Sequence, residues 1–362
     1  MITSIHHSVQ SLPRKICSLF FTHTGLVVVL IISAFSSLFL GAYSTGVNDV
    51  IESIASFLGV SGYSTSGSLH YLLWNVRLPR ILLAILVGAA LALSGAAIQG
   101  LFRNPLADPS LIGVTSGAMV FAVAGIVLGN SLLAAFPMAI GFISTLILAF
   151  IGSLSTTYWV YRLATYRGKT AVATMLLAGI AVAALAGALT GLMTYFSSEE
   201  ELRDITFWTL GSVGGASWSM LAYMVPVFLL AALLLFSVHK ELDLLSLGEQ
   251  EAIYLGVNLQ KVKWTVIGGS ALAVGCSVAL CGMIGFIALV VPHLIRLTQG
   301  TSHRQLLPGA ALLGGILLLI ADTFARTIIA PAELPIGILT ALLGAPFFIG
   351  LLLQAKRNYL AI

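Results

Sequence analysis

The side chains able to do chemistry are few in this chain, and their placement is uneven. Of the strongly charged residues, seven fall within His239–Lys263: Lys240, Glu241, Asp243, Glu249, Glu251, Lys261 and Lys263. Long apolar sequence lies on both sides of that island. Three cysteines occur, Cys17, Cys276 and Cys281. The last two sit five apart in one apolar segment, so they do not face each other on a helix, and buried, inert thiols are the expected state. No CxxC or HExxH pattern is present, so no metal site and no catalytic residue is expected. No Walker A glycine loop with Lys-Ser/Thr occurs, so the chain does not hydrolyse ATP by itself. Paired carboxylates inside apolar segments, the device of proton-driven carriers, are also missing; the nearest candidate, Asp322, sits at a segment end.

Within the island, Gly248 divides two very short predicted helices. Ser246 and Glu249 have capping-box spacing, Ala252, Ile253 and Leu255 form an apolar stripe, and Gly256 suits a left-handed helix end. A solvated loop is the plain reading. An apolar stripe gives such a loop nothing, so contact with a groove on another protein is the rival reading.

The elements around this island are membrane helices. Hydrophobic residues make up 59% of the chain and charged residues 8%, against about 25% charge in soluble domains. The composition indicates an all-α polytopic membrane protein, a single transmembrane domain over residues 1–362. The net charge of +4 is scattered among loops and gives no nucleic-acid footprint. Apolar segments recur at about 25–42, 81–100, 111–129, 133–161, 171–193, 219–238, 264–282, 283–298, 306–325 and 335–353. That gives about ten spans, with the split near Gly282 the least marked. The polar start, with Arg14 and Lys15, is read as leading into an uncleaved first span rather than as a signal peptide.

With both termini in the cytoplasm, every Lys and Arg except Arg77, Arg80, Arg203 and Arg326 falls on the cytoplasmic side. The positive-inside rule selects that orientation and places the Gly248 segment in the cytoplasm. The outer arginines then become informative. Arg77 and Arg80 flank Pro79, and Arg326 follows Asp322 by four residues. They either anchor at headgroup level and pair locally, or offer rigid forks to the carboxylates of an external partner. Glycines recur along the spans, as in Gly88, Gly95 and Gly100, Gly179, Gly187 and Gly191, and Gly268, Gly269 and Gly275, and are read as close-packing positions. The stretch Phe207–Trp218 is expected outside, as a short helix turning back into the next span.

Four stretches taken together resemble one family: RLPRILLAILVGAALALSGAAIQGLFRNPLADPSLIGVTSGA, LGEQEAIYLGV, GFIALVVPHLIRL and ELPIGILTALLGAPFFIGLLL. They are similar to the FecCD-type permeases, the membrane subunits of type II ABC importers for iron-siderophores, haem and cobalamin. The stretch FWTLGSVGGASW is most similar in wording to haem permeases. The resemblance implies a homodimer in the bacterial inner membrane, with a central pathway on its two-fold axis. It implies two cytoplasmic ATPase subunits gripping the short helices, here through Gly248, Glu249, Ala252, Leu255 and Gly256. It implies a periplasmic binding protein whose glutamates meet Arg77, Arg80 and Arg326. It also implies a cytoplasmic gate at the NPLA turn (Asn104, Leu106) and at the entry to the fifth span (Val172, Ala173). No stably bound cofactor is implied; ATP belongs to the partner subunit, and haem is the expected cargo. Met175, Met193 and Tyr195 are the candidates for lining its path, with packing as the alternative. His293 belongs to the general family wording and does not indicate haem. The other classes are a secondary carrier, which would need intramembrane ionisable residues that are not evident here, and a membrane scaffold or enzyme subunit, which would not need outward arginines and an inward contact segment together.

Overall fold

The computed structural model describes residues 22–360 apart from 42, 44, 58–66, 133–137 and 167–168. Arg14, Lys15, Cys17 and Arg167 lie outside the described residues. Among the described residues the fold is helical throughout except for one two-residue hairpin. Helix α1 is His23–Phe39, α2 is Val47–Phe57, and α3, Gly67–Tyr71, runs through a π-helical turn, Leu72–Arg77, into α4, Leu78–Phe102. A 3-10 turn, Pro109–Ile112, leads to α5, Val114–Leu132, and α6, Met138–Leu163. Strands β1, Thr165–Tyr166, and β2, Lys169–Thr170, pair antiparallel with Thr165 opposite Thr170, and α7, Val172–Tyr195, follows. Then come α8, Glu199–Leu210, α9, Trp218–Ser237, α10, His239–Leu245, and α11, Glu249–Tyr254. The chain closes with α12, Leu259–Cys281, α13, Ile287–Gln299, α14, His303–Ala325, and α15, Ile336–Leu360.

Each expected apolar segment is a helix. Among the described residues, six stretches are long and apolar enough to cross a membrane: the continuous run Gly67–Phe102, Ser144–Leu163, Val172–Tyr195, Trp218–Ser237, Leu259–Cys281 and His303–Ala325. The other four expected segments are α1, α5, α13 and α15, of which α1 and α13 are short, at 17 and 13 residues. The expected split near Gly282 is present. Helix α12 stops at Gly282, whose φ of 70° is left-handed, and α13 begins after Phe286.

Helix α4 is the axis of the fold. In the most apolar stretch of its run 83% of residues are buried, against 17% for α7, which lies at the periphery. Helices α9, α12, α13 and α14 pack around α4. Close approach explains the glycines here. A Cβ added at Gly88 would stand 2.2 Å from the Gly314 carbonyl oxygen, and one at Gly314 would stand 2.3 Å from that of Gly88. The backbones of α4 and α14 therefore touch, as small residues permit in membrane helices. Within this chain no such approach occurs at Gly187, Gly191 or Gly268, beside which a Cβ would meet nothing within 4 Å.

Helix α8 begins with a full capping box. The Ser198 hydroxyl accepts from the Glu201 N–H at 3.4 Å, and the Glu201 carboxylate accepts from the Ser198 N–H at 2.8 Å.

Candidate functional site: two polar ends of one bundle

One end of the bundle carries the short helices. Helix α10 ends at Ser246, and α11 starts after Gly248, whose φ of 139° disfavours any side chain. The expected Ser246–Glu249 capping box does not form. Ser246 is itself in the helical region and its hydroxyl donates back to the Asp243 carbonyl at 2.6 Å, so it cannot reach forward to α11. The expected left-handed end at Gly256 is there, with φ of 85°. The Gly256 N–H reaches the Ile253 carbonyl and the Val257 N–H reaches that of Ala252, both at 2.9 Å. These two bonds close a Schellman motif.

The apolar stripe divides. Ala252 is fully buried against the bundle, which corrects its assignment to a contact face. Leu247, Ile253, Tyr254 and Leu255 are all exposed, Tyr254 at 87%. Together they form an apolar ridge on the outside of the two short helices.

Two polar contacts hold the segment to the bundle. Asp243 on α10 accepts at Oδ1 from the His303 backbone N–H (2.7 Å), lies 2.7 Å from His303 Nδ1, and accepts at Oδ2 from the Ser302 hydroxyl (3.0 Å). It thereby caps α14 from outside that helix. Burial alone would raise the Asp243 carboxyl, but the contacts from His303 and Ser302 outweigh it and hold the group below its ordinary value. The His303 ring in turn lies against α4, where a Cβ on Gly100 would be 2.3 Å from its Nε2. The second contact is Glu249 on α11, paired with Lys263 at 3.0 Å.

The expected gate residues lie at the same end. Asn104 Oδ1 accepts from the Leu106 N–H at 2.9 Å and the Asn104 carbonyl accepts from the Ala107 N–H at 3.1 Å, so the NPLA turn closes on itself with Leu106 exposed. The following 3-10 turn crosses α7 closely, and a Cβ on Gly179 would sit 1.8 Å from the Leu111 carbonyl oxygen. The turn that follows the NPLA segment and α7 are thus neighbours. Val172 is half-buried and Ala173 exposed at the root of α7. Met175 is buried in the core, which corrects its reading as a lining residue; Met193 is half-buried and Tyr195 exposed at the far end of the same helix.

The opposite end carries the arginines, and all three are buried rather than presented outward. Arg80 reaches Asp322 through Nε (3.0 Å to each carboxylate oxygen) and Nη2 (2.8 Å), and Glu333 through Nη1 (2.8 Å). Arg326 donates to the Ser37 carbonyl at 2.6 Å and to its hydroxyl, with Asp322 a further 3.8 Å away. Arg77 donates to Thr45 Oγ1 at 2.7 Å and to the Leu38 and Tyr43 carbonyls. This corrects the expectation that these forks face an external partner. A guanidinium beside apolar helices is stabilised by fixed internal carboxylates and carbonyls, and α1, α14 and the segments that follow them supply them here. The part of the cluster that reaches solvent is Glu333, half exposed.

Cys276 and Cys281 are free and buried. Among the described residues no group of three or more His, Cys, Asp or Glu is gathered as a metal ion would need.

The chain is 45% identical over 333 residues to the hemin transport system permease protein HmuU of Yersinia pestis, covering 92% of this chain and 95% of that one. It is 44% identical over 288 residues to the vitamin B12 import system permease protein BtuC of Escherichia coli O9:H4, covering 78% and 84%. A solved structure of a metal-chelate type ABC transporter in an inward-facing conformation superposes with a TM-score of 0.77 at 38% identity, over 92% of this chain and 98% of that one. Residues 29–354 match the FecCD transport family. With that extent of match and a helical bundle of the same architecture, the chain belongs to the FecCD transport family.

Proposed function

We propose that this chain is the membrane-spanning permease subunit of an ATP-driven importer in the bacterial inner membrane, and that its cargo is haem. The observation that carries the role is the exposed ridge of Leu247, Ile253, Tyr254 and Leu255 on two short helices at one polar end, in a chain without a nucleotide-binding loop. An amphipathic helix with its apolar side uncovered is a surface for a groove on a partner. We assign that partner as an ATPase subunit, one per permease chain. The permease acts as a homodimer with the transport path between its two copies; Gly248 and Gly256 shape the contacting segment, while Glu249 turns inward to Lys263 and ties that segment to the bundle instead of meeting the partner. The haem assignment rests on the Yersinia relative, whose name specifies hemin and of which this chain covers 95%. A corrinoid is the second reading, favoured by the 44% identity to a vitamin B12 permease.

A substrate-binding partner is assigned to the arginine-bearing end. There Glu333 is the half-exposed member of the cluster, and Arg77, Arg80 and Arg326 brace the docking surface from beneath. Binding of the loaded partner outside and closure of the ATPases inside favour different shapes of the dimer. Transport follows from that difference in affinity, not from tight cargo binding by the permease. Asn104, Leu106, Val172 and Ala173 form the inner barrier in this scheme.

The test is reconstitution with the ATPase pair and the binding protein in liposomes. Haem-loaded binding protein should stimulate ATP hydrolysis and drive haem uptake. Stimulation by cobalamin-loaded protein alone would select the second reading. Uptake without any ATPase would defeat both.

A further inference from the structure

Lys263 is the one lysine found buried among the described residues, 4% exposed although it lies only five residues into α12. An ammonium in that position is tolerated only with partners, and it has two that belong to different parts of the chain. Its Nζ lies 3.0 Å from Glu249 Oε1, at the first residue of α11, and donates at 2.8 Å to the Thr170 carbonyl, at the end of β2. Thr170 stands two residues before α7 begins.

The surroundings make this a stiff connection. One turn earlier on the same face of α12, the Gln260 side chain meets the Thr170 hydroxyl at 3.3 Å and also reaches the Tyr161 hydroxyl. The Thr170 and Thr165 hydroxyls are 2.8 Å apart across the hairpin. The Tyr161 ring packs on that of Trp264 at 4.7 Å between centroids. The hairpin therefore cannot drift from α12. What Lys263 adds is the one ion pair, among the described residues, that fastens α11 to this unit. Glu249 is only partly covered, with 36% of its side chain exposed, so the pair stands at the boundary between the contact ridge and the bundle.

We propose that Lys263 is a positioning residue for transport, through which displacement of α11 is passed to the hairpin and so to the root of α7. This rests on the reading of α11 as the ATPase-contacting helix. A lysine suits the role because its compact charge on a flexible stem holds a carboxylate and a carbonyl together while they shift. Losing the tie leaves the ridge intact, so ATPase binding and hydrolysis should persist while their effect on α7 weakens.

The experiment uses the reconstituted complex and reads haem taken up per ATP hydrolysed, together with ATPase co-purification. Lys263→Met removes both contacts; Glu249→Gln removes only the ion pair and leaves Lys263 on Thr170. In both variants co-purification and hydrolysis should stay near wild type while haem per ATP falls about fivefold or more, the scale of an ordinary coupling free energy. Wild-type ratios in both overturn the proposal. So does a loss confined to Lys263→Met, because the lysine would then serve only the hairpin. If Lys263→Met does not fold, Glu249→Gln alone decides. A wild-type permease that recruits no ATPase would overturn the functional reading and this inference with it, whereas normal coupling in wild type and both variants overturns this inference alone.

Discussion

At the scale of single residues, the buried charges dominate. Asp322 is fully buried and holds Arg80 through three donor contacts, with Arg326 nearby. Asp322→Ala leaves two guanidinium groups facing each other without their shared carboxylate. The expected cost is about 3–5 kcal/mol, visible as a large drop in folded yield and in the thermal midpoint of detergent-solubilised protein. Glu333→Gln should change stability by less than about 1 kcal/mol, because that partner is half exposed and screened. Asp243 allows a prediction with pH. Its carboxyl is held below the ordinary value, so its contribution is complete above the unfolded value of about 3.9 and disappears as pH falls through the lower folded value. The stability gap between wild type and Asp243→Asn should therefore persist from pH 7 to pH 5 and close only in stronger acid. A gap that closed between pH 7 and pH 5 would refute this account of the cap.

At the scale of elements, close approach sets the tolerance to substitution. Gly179 lies under the Leu111 carbonyl with no room for a Cβ, so Gly179→Leu must push α7 away from the turn that follows the NPLA segment. Transport should fall at least tenfold while the protein still inserts, measured by uptake in vesicles beside membrane yield. Leu255→Asp puts a charge on the exposed ridge, and loss of ATPase co-purification with normal folding is the expected result. Much at this scale was legible beforehand. Long apolar runs identify membrane helices because nothing else buries them, and Gly248, Gly256 and Gly282 mark breaks because each adopts positive φ. The capping residues were less legible. Ser246 and Glu249 have the right spacing, but the pattern only works when the serine lies outside both helices, and here it ends one of them. The same pattern at Ser198 and Glu201 is real and was there to be read. The direction of the arginines could not be read at all. Sequence gives their charge and span position, whereas their aim depends on Ser37, Thr45, Asp322 and Glu333, brought together from distant parts of the chain. Met175 shows the same limit: periodicity puts it on α7 but does not say which face meets the core.

At the scale of the whole molecule, the bundle has a dense centre at α4 and a sparsely covered flank at α7, where Met175, Gly179, Ala186 and Thr190 are the buried residues. Leu177, Ile180, Leu185 and Leu189 are left exposed on that helix. In the proposed homodimer this flank faces the second copy, and cysteines introduced along it should cross-link between copies in native membranes. If only lipid covers it, no cross-linked species will form. The two polar ends also differ in kind. One is an internal cluster closed by carboxylates, the other an exposed ridge tied to the bundle by Asp243 and Glu249.

The arginine cluster also sets a problem of timing in the making of the chain. Arg80 and Asp322 are 242 residues apart in sequence. At ordinary synthesis rates of roughly 5–20 residues per second, the guanidinium is made about 12–48 s before its carboxylate. During that interval α4 has to wait with its charged end in water or among headgroups, and it can settle into the centre of the bundle only after α14 arrives. A ribosome stalled before residue 322 would therefore release a chain with an unmatched charge at its core helix. Such chains should be destroyed by membrane proteases far faster than chains stopped just after Arg326, a difference that pulse-chase labelling of the two truncations would measure.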